Sequence, residues 1–327
     1  MEIEVVSGLQ GRKLAVWEEF LKRMGLRADE QLEQTVLVWE DGELIATGSR
    51  QENLLKCIAV DPAHRGEDLT ATVLTQLRTE AFQKGLRHLF LYTKPKNRFM
   101  FSGLFFYPIA QTQNVLLMEN RRDGIKQFLQ QMPVQHQGTR IGAAVMNCNP
   151  FTLGHRYLIE TAAKNCDHVY IFVLSEDKSY FKAADRMEMV KLGTADLKNV
   201  TVLPTGPYLI SSATFPTYFL KDREQAVQVQ CQLDIEIFLR HYVPHFGITH
   251  RYVGTEPLSP MTEQYNLALK RLEDNGVALC ELPRLEKEQA PVSASAVRAL
   301  LEQGALEQLE RLVPETTYRY LKENILI

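Results

Sequence analysis

The sequence predicts an α/β protein in two parts, a mixed β-sheet with helices against it, followed by a doubly wound parallel sheet. Three observations point there. At 327 residues the chain is longer than one hydrophobic core usually serves, so two domains are expected. Residues 126 to 140, KQFLQQMPVQHQGTR, collect glutamines with a proline and a glycine; this change of composition puts a seam near residues 130 to 139. Beyond the seam, short apolar runs alternate with helical patterns, as in the strand–helix units that build parallel sheets. The expected domains are residues 1–135 and 139–327.

The elements follow in order. WEEFLKRMGL reads as a helix, and QTVLVWEDGELIATGSR as two strands turning at Asp41-Gly42, a pair suited to the positive φ of a tight hairpin. LLKCIAVD is a strand and PAHRGEDL a loop. TATVLTQLRTEAFQKG is a helix, with Leu69, Val73, Leu74 and Leu77 at spacings of three and four. RHLFLYTK returns as a strand. After the seam IGAAVM is a strand, and a helix spans about Thr152 to Asn165, with Leu153, Tyr157, Leu158, Thr161 and Ala162 on one face. HVYIFVLS is a strand, AADRMEMVKLGTAD a helix and VTVLP a strand. A long helical region runs through CQLDIEIFLRHYV, then HRYVG is a strand and MTEQYNLALKRLEDNG a helix. VALCELP reads as the last strand, and the chain is helical again from about Ser295.

Composition narrows the function classes. With 45% hydrophobic and 24% charged residues the chain has an ordinary soluble make-up. A net charge of -3 and a pI near 6.3 argue against a large nucleic-acid footprint, while leaving room for a local basic pocket. The five cysteines are odd in number and form no CxxC pair, which fits reduced thiols rather than a disulfide frame or zinc site; no residues are expected to bind a metal directly. The first residues, MEIEVVSGLQGRKLAVWEEF, lack the apolar core of a signal peptide, and no run approaches the roughly 18 apolar residues of a membrane span. A cytoplasmic protein without membrane or nucleic-acid partners is expected.

The stretch NCNPFTLGHRYLIE, residues 147 to 160, carries the chemistry. In open parallel sheets ligands bind at the carboxyl ends of the strands, where strand order reverses. That rule puts Asn147 to His155 at the mouth of the second sheet. The helix they open begins with unpaired N–H groups and partial positive charge. Gly154 admits a ligand close to the backbone and His155 projects a donor beside it, so the group reads as a phosphate site. The competing reading is a helix start capped by Asn149, with a histidine that is merely exposed. Near the C-terminus, PVSASAVRALL offers Ser295 as an N-cap, with Arg298 three residues on sharing its face; a guanidinium there can grip a phosphate in a fork.

Thr152-Leu153-Gly154-His155 resembles the (H/T)-x-G-H signature of the nucleotidyltransferase superfamily, and PVSASAVRALL, with Ser293, Ser295 and Arg298, is similar to its second signature. Together with ISSATFPTYFL (residues 210 to 220) and HRYVGTEP (250 to 257), these segments resemble the citrate lyase ligase family over nearly the whole chain. The resemblance implies an acetyltransferase-like (GNAT) domain, then a Rossmann-like nucleotidyltransferase domain; LFLYTKPKNRFMF and FFYPIA are similar to the closing segments of the former. It also implies a reaction: ATP-dependent acetylation, through acetyl adenylate, of the prosthetic-group thiol on the acyl carrier subunit of citrate lyase, releasing AMP and pyrophosphate. In that scheme His155 donates to the α-phosphate, and Asn147 and Asn149, with Cys148 between them, belong to the ATP-binding stretch. Related nucleotidyltransferases often carry an aspartate where Asn149 stands. Thr152 hydrogen-bonds phosphate, Ser293, Ser295 and Arg298 hold the β and γ phosphates, and Gly254 and Glu256 take the adenosine. Lys178 draws in acetate, whereas Arg186 reads as a surface salt bridge. Phe151, Ser211, Ser212, Thr214 and Phe215 are candidates for the acetate or carrier-arm pocket, and Mg²⁺ is expected to arrive held by the phosphates.

In the first domain HRGEDLTA begins like the coenzyme A loop of acetyltransferases, but Asp68 occupies a position where that superfamily favours glycine. Weak coenzyme A binding, a purely structural domain and a cradle for the carrier's dephospho-coenzyme A-derived arm are all consistent with that. Rival functions are a nucleotidyltransferase that keeps the nucleotide in its product, and an N-acetyltransferase with a nucleotide-sensing second domain. An aminoacyl-tRNA synthetase is disfavoured by the acidic charge and the lack of an anticodon domain.

Overall fold

The computed structural model describes residues 1–29, 32–135, 138–209, 215–220, 223–255, 268–287 and 290–325. The chain forms two compact units, one of Met1–Ile125 with Phe215–Leu233, the other of Lys126–Thr214 with Asp234–Ile327. The first change of unit thus precedes the glutamine-rich seam by a few residues, and residues 215–233 belong with the first unit.

The first unit is a seven-stranded sheet of β1 (Glu2–Val6), β2 (Gln34–Glu40), β3 (Glu43–Gln51), β4 (Leu54–Val60), β5 (Phe90–Thr93), β6 (Tyr107–Gln111) and β7 (Leu116–Glu119), in the order β1-β2-β3-β4-β5-β7-β6. Its helices are α1 (Gly11–Arg23), α2 (Leu69–Gln83) and α3 (Arg98–Gly103), and α4 (Gly124–Gln130) follows. The hairpin turn has φ +49° at Asp41 and +84° at Gly42, the left-handed geometry a two-residue loop requires. Helix α2 buries Leu69, Val73, Leu74 and Leu77, as their spacing predicts, against Val36, Val38 and Ala46 of the sheet. Gly48 permits that packing, because a Cβ there would lie 2.5 Å from Val73 Cγ1.

Only β4 and β5 run parallel in this sheet, and they bond only at Leu54–Phe90 and Leu55–Leu91. Their carboxyl halves part, and a cavity of about 870 Å³ opens beside Ile58, Val60, Tyr92 and Lys94. The HRGED loop borders it. Asp68, the residue before α2, sits at φ +54°, a conformation glycine adopts freely and other residues do not. That accounts physically for a preference for glycine at this point.

The second unit holds β8 (Ile141–Met146), β9 (His168–Val173), β10 (Val200–Pro204), β11 (His250–Gly254) and β12 (Ala278–Leu282), in the order β10-β9-β8-β11-β12, every pair parallel. Helices α5 (Leu153–Asn165) and α6 (Ala183–Thr194) alternate with the first strands, α7 (Arg223–Ile237, of which residues up to Leu233 belong to the first unit) and α8 (Val243–Phe246) precede β11, and α9 (Ala294–Glu302) and α10 (Glu315–Asn324) close the chain. All six residues of β9 are buried, as expected for a strand covered on both faces. Val169, Ile171 and Val173 meet Leu158, Ile159 and Ala162 of α5; the alternate Tyr170 and Phe172 meet Tyr242 and Phe246.

Three expectations change. VALCELP is not the last strand, because Glu286–Lys287 and Ala290–Pro291 form an antiparallel pair beyond it. Of the helix read over MTEQYNLALKRLEDNG, residues 261–267 lie outside the described residues, and Lys270–Asn275 is a 3₁₀ segment. The cap of α9 is Ser293, whose hydroxyl accepts from Ala296 N, with Ser295 inside the first turn. Among the described residues no helix is long and apolar enough to cross a membrane.

Candidate active site

Strand order in the second sheet reverses between β8 and β11. These two strands pair only at Gly142–His250 and Ala143–Arg251, so their carboxyl ends diverge. A cavity of about 440 Å³ fills the fork, a size suited to a small-molecule ligand. Seven of the predicted residues line it: Asn147, Thr152, Gly154, His155, Gly254, Ser293 and Ser295.

Two helix starts meet there. Thr152 caps α5, and His155 takes the place of the glutamate in a capping box. The Thr152 main-chain N–H donates to His155 Nδ1 at 3.0 Å, and the Thr152 hydroxyl lies 2.9 Å from the same atom. An accepting Nδ1 places the ring hydrogen on Nε2, so the imidazole is a neutral donor. Phe151, fully buried, stacks on the ring at 5.9 Å between centroids. In the first turn, Leu153 N–H donates to Leu312 O at 2.9 Å and His155 N–H to Thr152 Oγ1. The Gly154 N–H has no acceptor among the described residues. A Cβ at Gly154 would stand 3.2 Å from Val292 O, so the glycine also lets the segment leading into α9 come close. The start of α9 forms the opposite wall through Ser293, Ala294 and Ser295. Helix starts carry partial positive charge, and two of them on one cavity suit a polyanion.

Arg298 does not line the cavity but ties the two segments that wall it. Its Nη1 donates to Asn149 O at 2.5 Å and its Nη2 to Ser295 Oγ at 3.1 Å, so the C-terminal signature is joined to the first. Asn149 turns its side chain elsewhere, with Oδ1 accepting from Phe181 N at 3.0 Å. It is Thr152, not Asn149, that caps α5.

Other predicted contacts are not brought to the cavity. Cys148, 1% exposed, packs its thiol into the core, and burial pushes that thiol well above its ordinary pKa. Phe151 supports His155 from within the core rather than lining a pocket, its ring occupying the space a Cβ at Gly193 would need. Lys178 is exposed on the loop after β9 and does not line the cavity. Ser211, Ser212, Thr214 and Glu256 lie outside the described residues.

Sequence reasoning missed two cations and misread a third. Arg251 and Arg284 line the cavity, the latter donating to Thr255 O at 3.1 Å. Arg186 is no surface residue but fully buried, holding Asn147 through both its carbonyl and its side-chain oxygen. Only HRYVG, quoted as a motif, gave any sign of Arg251.

Both parts of the chain match known families. The model of the citrate lyase ligase C-terminal domain matches residues 141–321, and that of the acetyltransferase (GNAT) family residues 8–100. A [citrate [pro-3S]-lyase] ligase of Klebsiella pneumoniae is 42% identical over 94% of this chain and 92% of its own length. Those of Escherichia coli K12 and Haemophilus influenzae are 38% and 39% identical, over 97% and 99% of this chain and 92% and 99% of their own. With its parallel-sheet site and its mixed-sheet first unit, the chain belongs to the citrate lyase ligase family of enzymes.

Proposed function

We propose that this enzyme activates citrate lyase by acetylating the prosthetic-group thiol of its acyl carrier subunit, using ATP and acetate. The observation that carries the reading is the convergence of two helix starts and a neutral His155 on one cavity at the fork of β8 and β11. The triphosphate lies across the Gly154 N–H, the α9 start and Arg298. An acetate oxygen attacks the α-phosphorus, and the bond to pyrophosphate breaks. His155 Nε2–H donates to the α-phosphate as charge grows there, a task of positioning and electrostatics rather than covalent chemistry. The carrier thiol then attacks the acetyl carbonyl of acetyl adenylate; the thioester forms, AMP departs and the thiol proton passes to solvent. Mg²⁺ enters on the phosphates rather than in a protein cage.

The 870 Å³ crevice of the first unit suits the carrier arm. Arg65, Lys94 and Lys96 border it with Asp68, and the parted edges of β4 and β5 offer strand amides to an extended, amide-bearing chain.

Incubation with ATP, acetate and deacetylated citrate lyase should yield AMP and restore lyase activity in step. A nucleotide retained in the product would instead favour a nucleotidyltransferase. Substituting His155→Ala should cut acetate-driven ATP–pyrophosphate exchange by about 10²–10³-fold, the usual effect of losing one transition-state donor, with the folded state intact by circular dichroism. Exchange near the parent rate rules out the role assigned to the imidazole.

A further inference from the structure

One cation at the fork is not used by the mechanism above. Arg251 belongs to the last bonded pair of β8 and β11. Its side chain is 2% exposed, and its guanidinium carbon stands 4.7 Å from the centroid of the Phe238 ring. Among the described residues its Nε and Nη1 have no hydrogen-bond partner. A buried cation with unmet donors is costly unless something completes it. The neighbouring guanidiniums differ: Arg186, Arg284 and Arg298 all donate to backbone carbonyls.

Arg251 and Val145 border the 440 Å³ cavity, and both also line a niche of about 10 Å³ walled by Ile235, Phe238, Leu269 and Leu272. That is about the room of one water-sized group. A guanidinium beside walls that are hydrocarbon apart from Asp234 matches a carboxylate bearing a very short apolar tail. Both bare nitrogens have no exposed surface, so the anion that meets them is small, and it must part the side chains between cavity and niche to reach them. The triphosphate is too large, and its groups are already provided for at the helix starts.

We propose that Arg251 anchors the carboxylate of the short-chain acid substrate, with the niche receiving its methyl end, in the place where the sequence suggested Lys178. This deepens the function proposed above and rests on it. Asp234 shares the niche wall, and its negative charge opposes an arriving carboxylate.

The test uses the full-length enzyme and acetate-driven pyrophosphate exchange, with a separate calorimetric Kd for α,β-methylene-ATP. Replacing Arg251→Gln should raise the acetate KM by about tenfold or more while the analogue Kd stays within about twofold, as removal of one substrate's contact requires. Arg251→Lys should recover part of the acetate affinity, and it serves as the primary variant if the glutamine form does not fold. Asp234→Asn should lower the acetate KM. Three results overturn the proposal: an unchanged acetate KM in a folded Arg251 variant, acetate KM and analogue Kd rising together, or lowered melting temperatures in the Arg251 and Asp234 variants with acetate KM unmoved, the mark of an internal ion pair. Parent enzyme without acetate-driven exchange sinks the function and this assignment together; normal parent exchange with an indifferent Arg251 sinks this assignment alone.

Discussion

Arg186 organises the mouth of the second sheet by itself. Its Nε donates to Phe181 O at 3.1 Å, and its Nη1 to Asn147 O, Asn147 Oδ1 and Leu174 O at 2.9, 2.7 and 2.8 Å; Nη2 donates to Glu176 O. One side chain therefore ties the end of β8, the end of β9 and the loop that follows. Burial pulls its pKa down, yet every acceptor is a neutral oxygen. Asn147 lines the 440 Å³ cavity with its amide set by this fan and by Ser179 Oγ at 3.1 Å. Replacing Arg186→Met strands those acceptors, with an expected loss of about 3 kcal/mol or more, from unmet buried polar groups. Arg186→Lys keeps a charge but not the fan, so it should recover only part. Urea unfolding gives the stability, and the ATP KM of the folded fraction should rise in both. The sequence pointed the wrong way here because AADRMEM looks like an ordinary helix face, while Asn147, which supplies two of the acceptors, is 39 residues away.

At the scale of elements, the same device recurs: parallel strands bonded at their amino ends and parted at their carboxyl ends. The β4–β5 pair opens the larger cavity and the β8–β11 pair the smaller. Four of these strands were legible as apolar runs, but where pairing stops was not, because the local sequence does not encode how far two neighbours stay in register. Helix α5 depends on a similarly close fit. A methyl at Gly154 would meet Val292 O at 3.2 Å, so the carbonyl must yield and carry Ser293 and Ser295 with it. The variant Gly154→Ala should raise the ATP KM by about threefold to tenfold while its stability changes by no more than about 1 kcal/mol, since alanine's better helix propensity offsets part of the strain. Steady-state kinetics alongside a denaturant melt separates the two effects.

For the whole molecule, the discontinuous first unit governs how its role can be probed. Tyr218 Oη donates to Tyr92 O at 2.9 Å, Arg27 N–H to Tyr218 O at 2.8 Å and Arg27 Nη2 to Thr217 O at 3.0 Å. Phe215 packs edge-on to Tyr92 at 5.5 Å. A chain begun at residue 139 would strip these partners from Phe215, Tyr218 and Phe219, exposing apolar surface that favours association. It should elute as aggregate in size-exclusion chromatography. The crevice is better tested in the full chain with Lys94→Glu and Lys96→Glu together, both residues being exposed at its rim. Exchange should stay within about twofold of the parent while acetyl transfer to the carrier falls by about tenfold or more, as reversing two charges beside an anionic arm predicts. Equal loss in both assays rejects the crevice as the arm's seat.

By itself the sequence determined the two fold classes, most of the strands and helices of the second unit, and the helix starts at Thr152–His155 and in the C-terminal serine-rich turn. Those rest on local periodicity and on residue types that act where they stand. Only the tertiary structure decided that residues 215–233 join the first unit, that Cys148 and Phe151 turn inward, that Lys178 stays outside, and that Arg186 and Arg251 are buried. Each of these depends on which distant backbone a side chain meets after folding, and a buried guanidinium is indistinguishable in sequence from a solvated one until its neighbours are in place.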